Sequence, residues 1–156
     1  MRPFKTPILA GVIAFAATSS FAQSRDYLPY EATAGGVAAC VAMARDANAS
    51  VAVVVIDRAD QIIAAARIDE VLPAAYEGAH LKAYSALNFY QPSGDIGPIM
   101  EAIPAFKDIP RIVTIPGGQP VFSSNGALVG AVGVAGFPDA QPDADCAQRV
   151  VEQIAE

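Results

Sequence analysis

"RIVTIPGGQPVFSSNGALVGAVGVAG", residues 111–136, is the stretch whose reading decides the fold. Its β-branched runs are broken by strong turn punctuation. "RIVTI" reads as a strand, "PGGQP" as a tight turn, "VFSS" as a strand, Asn125-Gly126 as a two-residue hairpin turn and "ALVGAVGVAG" as a further strand. Gly126 serves the hairpin, Gly117 and Gly118 the turn, and Gly136 the strand exit. Gly130 and Gly133 are left inside an otherwise apolar strand, where missing side chains mark a bulge or a close approach to the backbone. A helix, a second subunit or a flat ligand would each fit such a place.

Working outward, "SVAVVVID" (50–57) is a continuous β-branched run, and "QIIAAARID" (61–69) follows after the polar break Arg58-Ala59-Asp60, so the two predict a hairpin. Residues 30–47 place Val37, Cys40, Val41 and Ala44 on one side at helical spacing, with Gly35 and Gly36 either weakening the helix or allowing close packing. Pro73 suits the first turn of a helix that runs through "AAYEGAHLKAYSALNFY" to about residue 90. Residues 91–110 hold four prolines and read as an ordered loop with a short helix near 99–103. Asp143 can cap a closing helix whose Cys146, Ala147, Val150, Val151 and Ile154 form an apolar stripe. The order predicts an α/β (α+β) domain with a five-stranded, mostly antiparallel sheet covered by helices on at least one face.

Of 156 residues, 53% are apolar and 17% charged, enough for one domain with a substantial core. Residues 1–22 read as a secretory signal, with Arg2 and Lys5 at the start, an apolar stretch from Ile8 to Ala17, and small residues at Ser20 and Ala22. That stretch is far shorter than the roughly 20 residues of a membrane-spanning helix. Cleavage after Ala22 would remove two of the ten basic residues and none of the sixteen acidic ones. The mature domain, 28–156, is therefore expected to be acidic, periplasmic or secreted, and a poor partner for nucleic acid. An anionic ligand would need local help from Arg58, Arg67, Lys82, Lys107, Arg111 or glycine amides. In an oxidising compartment the two cysteines, Cys40 and Cys146, suggest a disulfide, the alternative being two small buried apolar residues.

Few residues could carry chemistry. His80, the sole histidine, has Tyr76 at i−4 and Tyr84 at i+4, which places a half-aromatic, half-polar wall on one helix side. It is a candidate iron ligand or proton carrier, or else an ordinary edge histidine. Lys82, two residues on, points about 200° away. Arg67 and Asp69 end a strand, where they could face a cleft or simply cap the sheet edge. Gly117 and Gly118 could bring backbone amides to a ligand carboxylate, or merely make a turn. No G-x-S-x-G, G-x-G-x-x-G or Walker sequence is present, so serine hydrolysis and nucleotide cofactors have no support.

"VAVVVID", "RID", "AHLKAYSA", "PGGQPV", "GALVGAVGVAG" and "DADCA", in this order from about residue 28 onward, resemble the GlcG/HbpS-like family of haem-degrading-domain proteins. The positions that match include Asp57, Arg67, Asp69, Lys82, Gly117, Gly118, Gly130, Gly133 and Asp145. Two depart: Asp60 stands where the family usually has glycine, and Ala135 where it has serine. The resemblance implies a profilin-like or roadblock-like domain that forms homo-oligomers. It further implies haem or a related tetrapyrrole as ligand in some members, and in one exported member an accessory role to a membrane sensor kinase. His80 is not part of the shared pattern, so its assignment to haem iron comes from this chain's own residues. On this basis haem would pack between the Tyr76–His80–Tyr84 wall and the Gly117–Gly118 turn, with Arg67 and Lys82 as nearby cations. The competing readings are a ligand-free oligomeric interaction module, and an enzyme acting on a small anionic or carbonyl metabolite through Lys82, Arg67, Asp69 and His80.

Overall fold

Val53, Val54, Val55 and Ile56 are all fully buried, because the strand they form is covered on both sides. Val53 and Val55 face one apolar cluster, Val54 and Ile56 the other. This is why the run is continuous rather than alternating. The computed structural model describes residues 27–68 and 70–155. The signal-like segment 1–22 and Asp69 lie outside the described residues. In chain order the elements are α1 (Tyr30–Asp46), β1 (Ala52–Asp57), β2 (Ile62–Arg67), α2 (Pro73–Phe89), α3 (Gly97–Ala102), β3 (Gly118–Phe122), β4 (Leu128–Ala135) and α4 (Ala140–Ala155). The strands make one antiparallel sheet in the order β2-β1-β4-β3. Helices α1 and α4 cover one face and α2 covers the other.

The sheet has four strands, not the five expected. "RIVTI" has strand composition, but the amide of Val113 donates to Ser85 Oγ (2.8 Å) and the carbonyl of Ile115 accepts from Ser93 Oγ (2.6 Å). These bonds to side chains tie the segment to α2 and to the turn that follows it instead of to a neighbouring strand. The "PGGQP" turn is also shorter than expected. Gly117 turns the chain with φ 121, while Gly118 already belongs to β3 and pairs with Gly133. Pro120 is tolerated because β3 is an edge strand.

The glycines of β4 are explained by the protein itself. A Cβ on Gly133 would collide with the carbonyl oxygen of Ala79, and one on Gly118 with that of Lys82. These two glycines are cross-strand partners, and together they form the seat on which α2 rests through Ala79, Ala83 and Ala86. Gly130 is likewise closed off by Leu28 and the backbone of Ile56. The low bulk of β4 therefore admits a helix and not a flat ligand.

On the opposite face, α1 and α4 cross closely at Gly36, where a Cβ would lie 2.9 Å from Val150 Cγ1. One turn along, Cys40 and Cys146 form a disulfide with Cα atoms 5.1 Å apart, spanning a sequence separation of 106. In the chain-entropy model a loop of that length contributes about 4.7 kcal/mol, an upper figure. Helix α4 begins at Ala140, three residues before the expected cap, so Asp143 lies within the first turn and its side chain is free for a different role.

Two hairpins share one backbone pattern. In the first, Asp57 N–H donates to the Gln61 carbonyl (2.9 Å) and Asp60 N–H to that of Asp57 (3.2 Å); in the second, Ser123 N–H donates to Ala127 (2.8 Å) and Gly126 N–H to Ser123 (2.8 Å). Both are three-residue loops whose last residue is left-handed, so Asn125-Gly126 is not a two-residue turn. That residue is Gly126 (φ 83) in one hairpin and Asp60 (φ 60) in the other.

Candidate functional site

Helix α2 starts with Pro73 in its first turn, where a missing N–H costs nothing, and ends at Tyr90 in the left-handed region. Its side chains divide by angle. Ala79, Ala83 and Ala86 pack on the sheet, while Tyr76, His80 and Tyr84 run along the partly exposed side. The expected wall of one imidazole between two phenols is thus brought together by the helix alone.

His80 is not free on that wall. Its Nε2 lies 2.7 Å from Asp60 Oδ1, the two side chains being 21% and 24% exposed. The second oxygen, Asp60 Oδ2, accepts from Arg111 Nη1 at 2.9 Å. The Arg111 guanidinium in turn stacks 4.1 Å from the centre of the Tyr84 ring, a cation–π contact. Arg111 takes a left-handed backbone (φ 70), as does Asp60. The turn before Asp60 is shaped by Asp57, whose Oδ1 accepts from the amides of Ala59 (2.8 Å) and Gln61 (2.9 Å). Partial burial works to raise the Asp60 pKa, but hydrogen bonds and charge from Arg111 and His80 outweigh it and hold the carboxyl below its usual value.

The other expected site residues lie elsewhere. Lys82 points inward, as its angle on the helix requires. Its Nζ donates to Asp143 Oδ2 (2.7 Å) and to the Val134 carbonyl (2.9 Å), with both side chains 6% exposed or less. Asp143 also accepts from the Phe137 amide (3.2 Å). Burial raises the Asp143 pKa, prevailing over the opposing pull of Lys82. Lys82 is therefore an internal tie between α2, β4 and α4 rather than a cation for a ligand. Arg67 spends its Nε and Nη2 on the Val71 carbonyl (3.1 and 2.9 Å), at the end of β2 away from the Asp57–Gln61 turn.

Gly117 and Gly118 do not cradle a ligand. The Gly118 amide donates to Ser93 Oγ (2.8 Å), and the space beside Gly117 is taken by Val134 O, Asp143 and Lys82 Nζ. The concavity next to them measures about 250 Å³, below the roughly 300–1,000 Å³ of small-molecule sites. The groove expected between these glycines and His80 is thus absent, because α2 itself fills it. A larger groove of about 750 Å³ runs between α1 and β2, lined by Tyr30, Val41, Arg45, Ile62 and alanines, and includes none of these residues.

Sequence reading missed Asp60 and Arg111 as partners of His80. The available signals were the aspartate at a turn position usually held by glycine, and Arg111 among the few cations.

The sequence model of the HbpS-like family, haem degrading proteins, matches residues 28–152. The chain belongs to that family. HbpS of Streptomyces reticuli, solved as a double mutant, superposes with TM-score 0.78 at 30% identity, covering 96% of this chain and 100% of that one. The Klebsiella pneumoniae protein ORFY aligns at 25% identity and TM-score 0.72, over 90% of this chain and 97% of its own. A PduOC–heme complex shares the fold, with TM-score 0.73 and 20% identity over 81% and 94% of the two chains. A search of curated proteins gives no match. Within this HbpS-like chain, no cluster of three or more His, Cys, Asp or Glu able to hold a metal ion occurs among the described residues. Haem iron needs no such cluster, since the porphyrin supplies four of its ligands and the protein only an axial group.

Proposed function

We propose that this chain is an exported haem-binding protein whose His80, between Tyr76 and Tyr84 on the outer side of α2, would hold the haem iron. The observation that carries the reading is the sole histidine, partly exposed, one helical turn from a tyrosine on either side, in a chain of the HbpS-like family. The donor set fits haem: one imidazole suffices and the Tyr76 ring offers an apolar face with a polar tip, while Arg111 stays on the Tyr84 ring and Asp60. Bound haem would supply redox-active iron and an intense Soret band. The protein's part is to orient the imidazole and to shelter one porphyrin face. Export is supported by the signal-like residues 1–22 and by the Cys40–Cys146 disulfide, which suits an oxidising compartment.

Titrating the purified mature protein with haemin should give a saturable Soret shift that changes position in His80→Ala. No shift at micromolar haem would overturn the reading. Mass analysis of the exported protein should find a chain beginning just after Ala22.

A further inference from the structure

The Asp57–Gln61 and Ser123–Ala127 turns share one hydrogen-bond pattern but differ at the left-handed position. Gly126 takes φ 83 without steric cost, whereas Asp60 holds φ 60 against its own Cβ. What distinguishes Asp60 is its side chain. Both carboxylate oxygens are engaged, Oδ1 by His80 Nε2 (2.7 Å) and Oδ2 by Arg111 Nη1 (2.9 Å). Three separate segments, the first hairpin, α2 and the chain at Arg111, meet at this one group, and two of them arrive in left-handed conformations. A turn that only had to close the hairpin would be served by glycine, as the second hairpin shows.

We propose that Asp60 is a latch on His80, holding the imidazole nitrogen that haem iron would take and so setting the affinity of this face for haem. The proposal rests on the haem reading above. Nε2 is the ring nitrogen farthest from the helix backbone and the one facing the carboxylate. While it donates a proton to Asp60 it has no lone pair to give. Coordination requires the hydrogen bond to break and the Nε2 proton to leave, either to Nδ1 or to solvent, after which the lone pair is available to iron. Asp60 is not stranded by this exchange, because Arg111, anchored on the Tyr84 ring, still holds its other oxygen. The carboxylate thus has a resting partner in both states, and the imidazole is the part that moves.

Asp60→Gly suits the backbone at this position and should fold as the wild type does, which a thermal melt verifies. Removing a hydrogen bond to a charged group from the competing state should tighten haem binding roughly ten- to a hundredfold. In a double-mutant cycle read by Soret titration, that gain should vanish in the His80→Ala background. Asp60→Asn, which also tolerates the left-handed conformation but lacks the charge, should fall between wild type and Asp60→Gly. Independently of haem, nitrogen NMR of His80 should show the Nε2–H tautomer fixed in the wild type and mixed tautomers in Asp60→Gly.

Haem binding that depends on His80 but is unchanged or weakened by Asp60→Gly would overturn the latch and leave the haem site standing. A wild-type imidazole without a preferred tautomer would also overturn it. Haem binding indifferent to His80→Ala would instead remove the site, and the latch with it.

Discussion

Helix α2 shows the sheet three alanines and a buried lysine, and shows the outside a histidine between two tyrosines, and the two sides differ in what a substitution can cost. Inside, the contact is backbone on backbone: Gly118 and Gly133 lie directly beneath the carbonyls of Lys82 and Ala79, so no side chain fits between. Outside, His80, Asp60 and Arg111 are 21%, 24% and 42% exposed, and their contacts are hydrogen bonds that can be exchanged. One helix therefore carries the fold on one side and a replaceable set of partners on the other. Positions only two residues apart fall on opposite sides of that division, as His80 and Lys82 do.

The strongest way to break the contrast is Gly133→Val. It forces a side chain into the backbone of α2, and the loss should reach about 4 kcal/mol or more, seen as absent cooperative melting by circular dichroism. Next comes Lys82→Met, which leaves Asp143 buried without its ion-pair partner and should cost about 3–5 kcal/mol in urea denaturation. The double variant Lys82→Met with Asp143→Leu should recover part of that loss, because the desolvated charge is then gone as well. At the other extreme, His80→Ala should cost only about 1 kcal/mol, the value of one partly exposed hydrogen bond.

The two aspartates sharpen the contrast through pH. Asp143 has a folded-state pKa above the usual 3.8, so the folded form holds its proton more tightly than the unfolded chain; the associated stability is complete below pH 3.8 and is lost as pH rises through the raised value. Asp60 is shifted the other way. Its contribution is present above pH 3.8 and is lost as pH falls through the lowered value. Melting temperature followed against pH should therefore lose its fall above pH 3.8 in Asp143→Asn, and lose part of its fall below pH 3.8 in Asp60→Asn. Matching changes of the same sign would erase the distinction between the two sides.

The parts of this architecture that were legible in the sequence are those fixed by local chemistry. The apolar run Val53–Ile56, the spacing of Val37, Cys40 and Ala44, and Pro73 at the start of α2 all act within a few residues of themselves. The same holds for the wall of Tyr76, His80 and Tyr84, which needs only helical geometry. What was illegible depended on distant partners. Residues 111–115 have the composition of a strand, but a single hydroxyl on α2, Ser85 Oγ, takes the Val113 amide. The glycines of β4 announced that something lies close without saying what, and the answer was the protein's own helix. His80 finds Asp60 across 20 residues, and Asp60 finds Arg111 across 51, separations that no local pattern encodes. Asp143 read as a cap because Asp suits that place, and it proved to be the counter-charge of Lys82 instead.

The bond between Cys40 and Cys146 turns everything from within α1 to within α4 into a closed covalent ring, with all four strands and α2 inside it. A protease that cuts the exposed stretch at 101–111 would open that ring without releasing a fragment. The nicked chain would migrate as one piece until a reductant was added, so damage to the most accessible part of this molecule leaves its two helical anchors still joined.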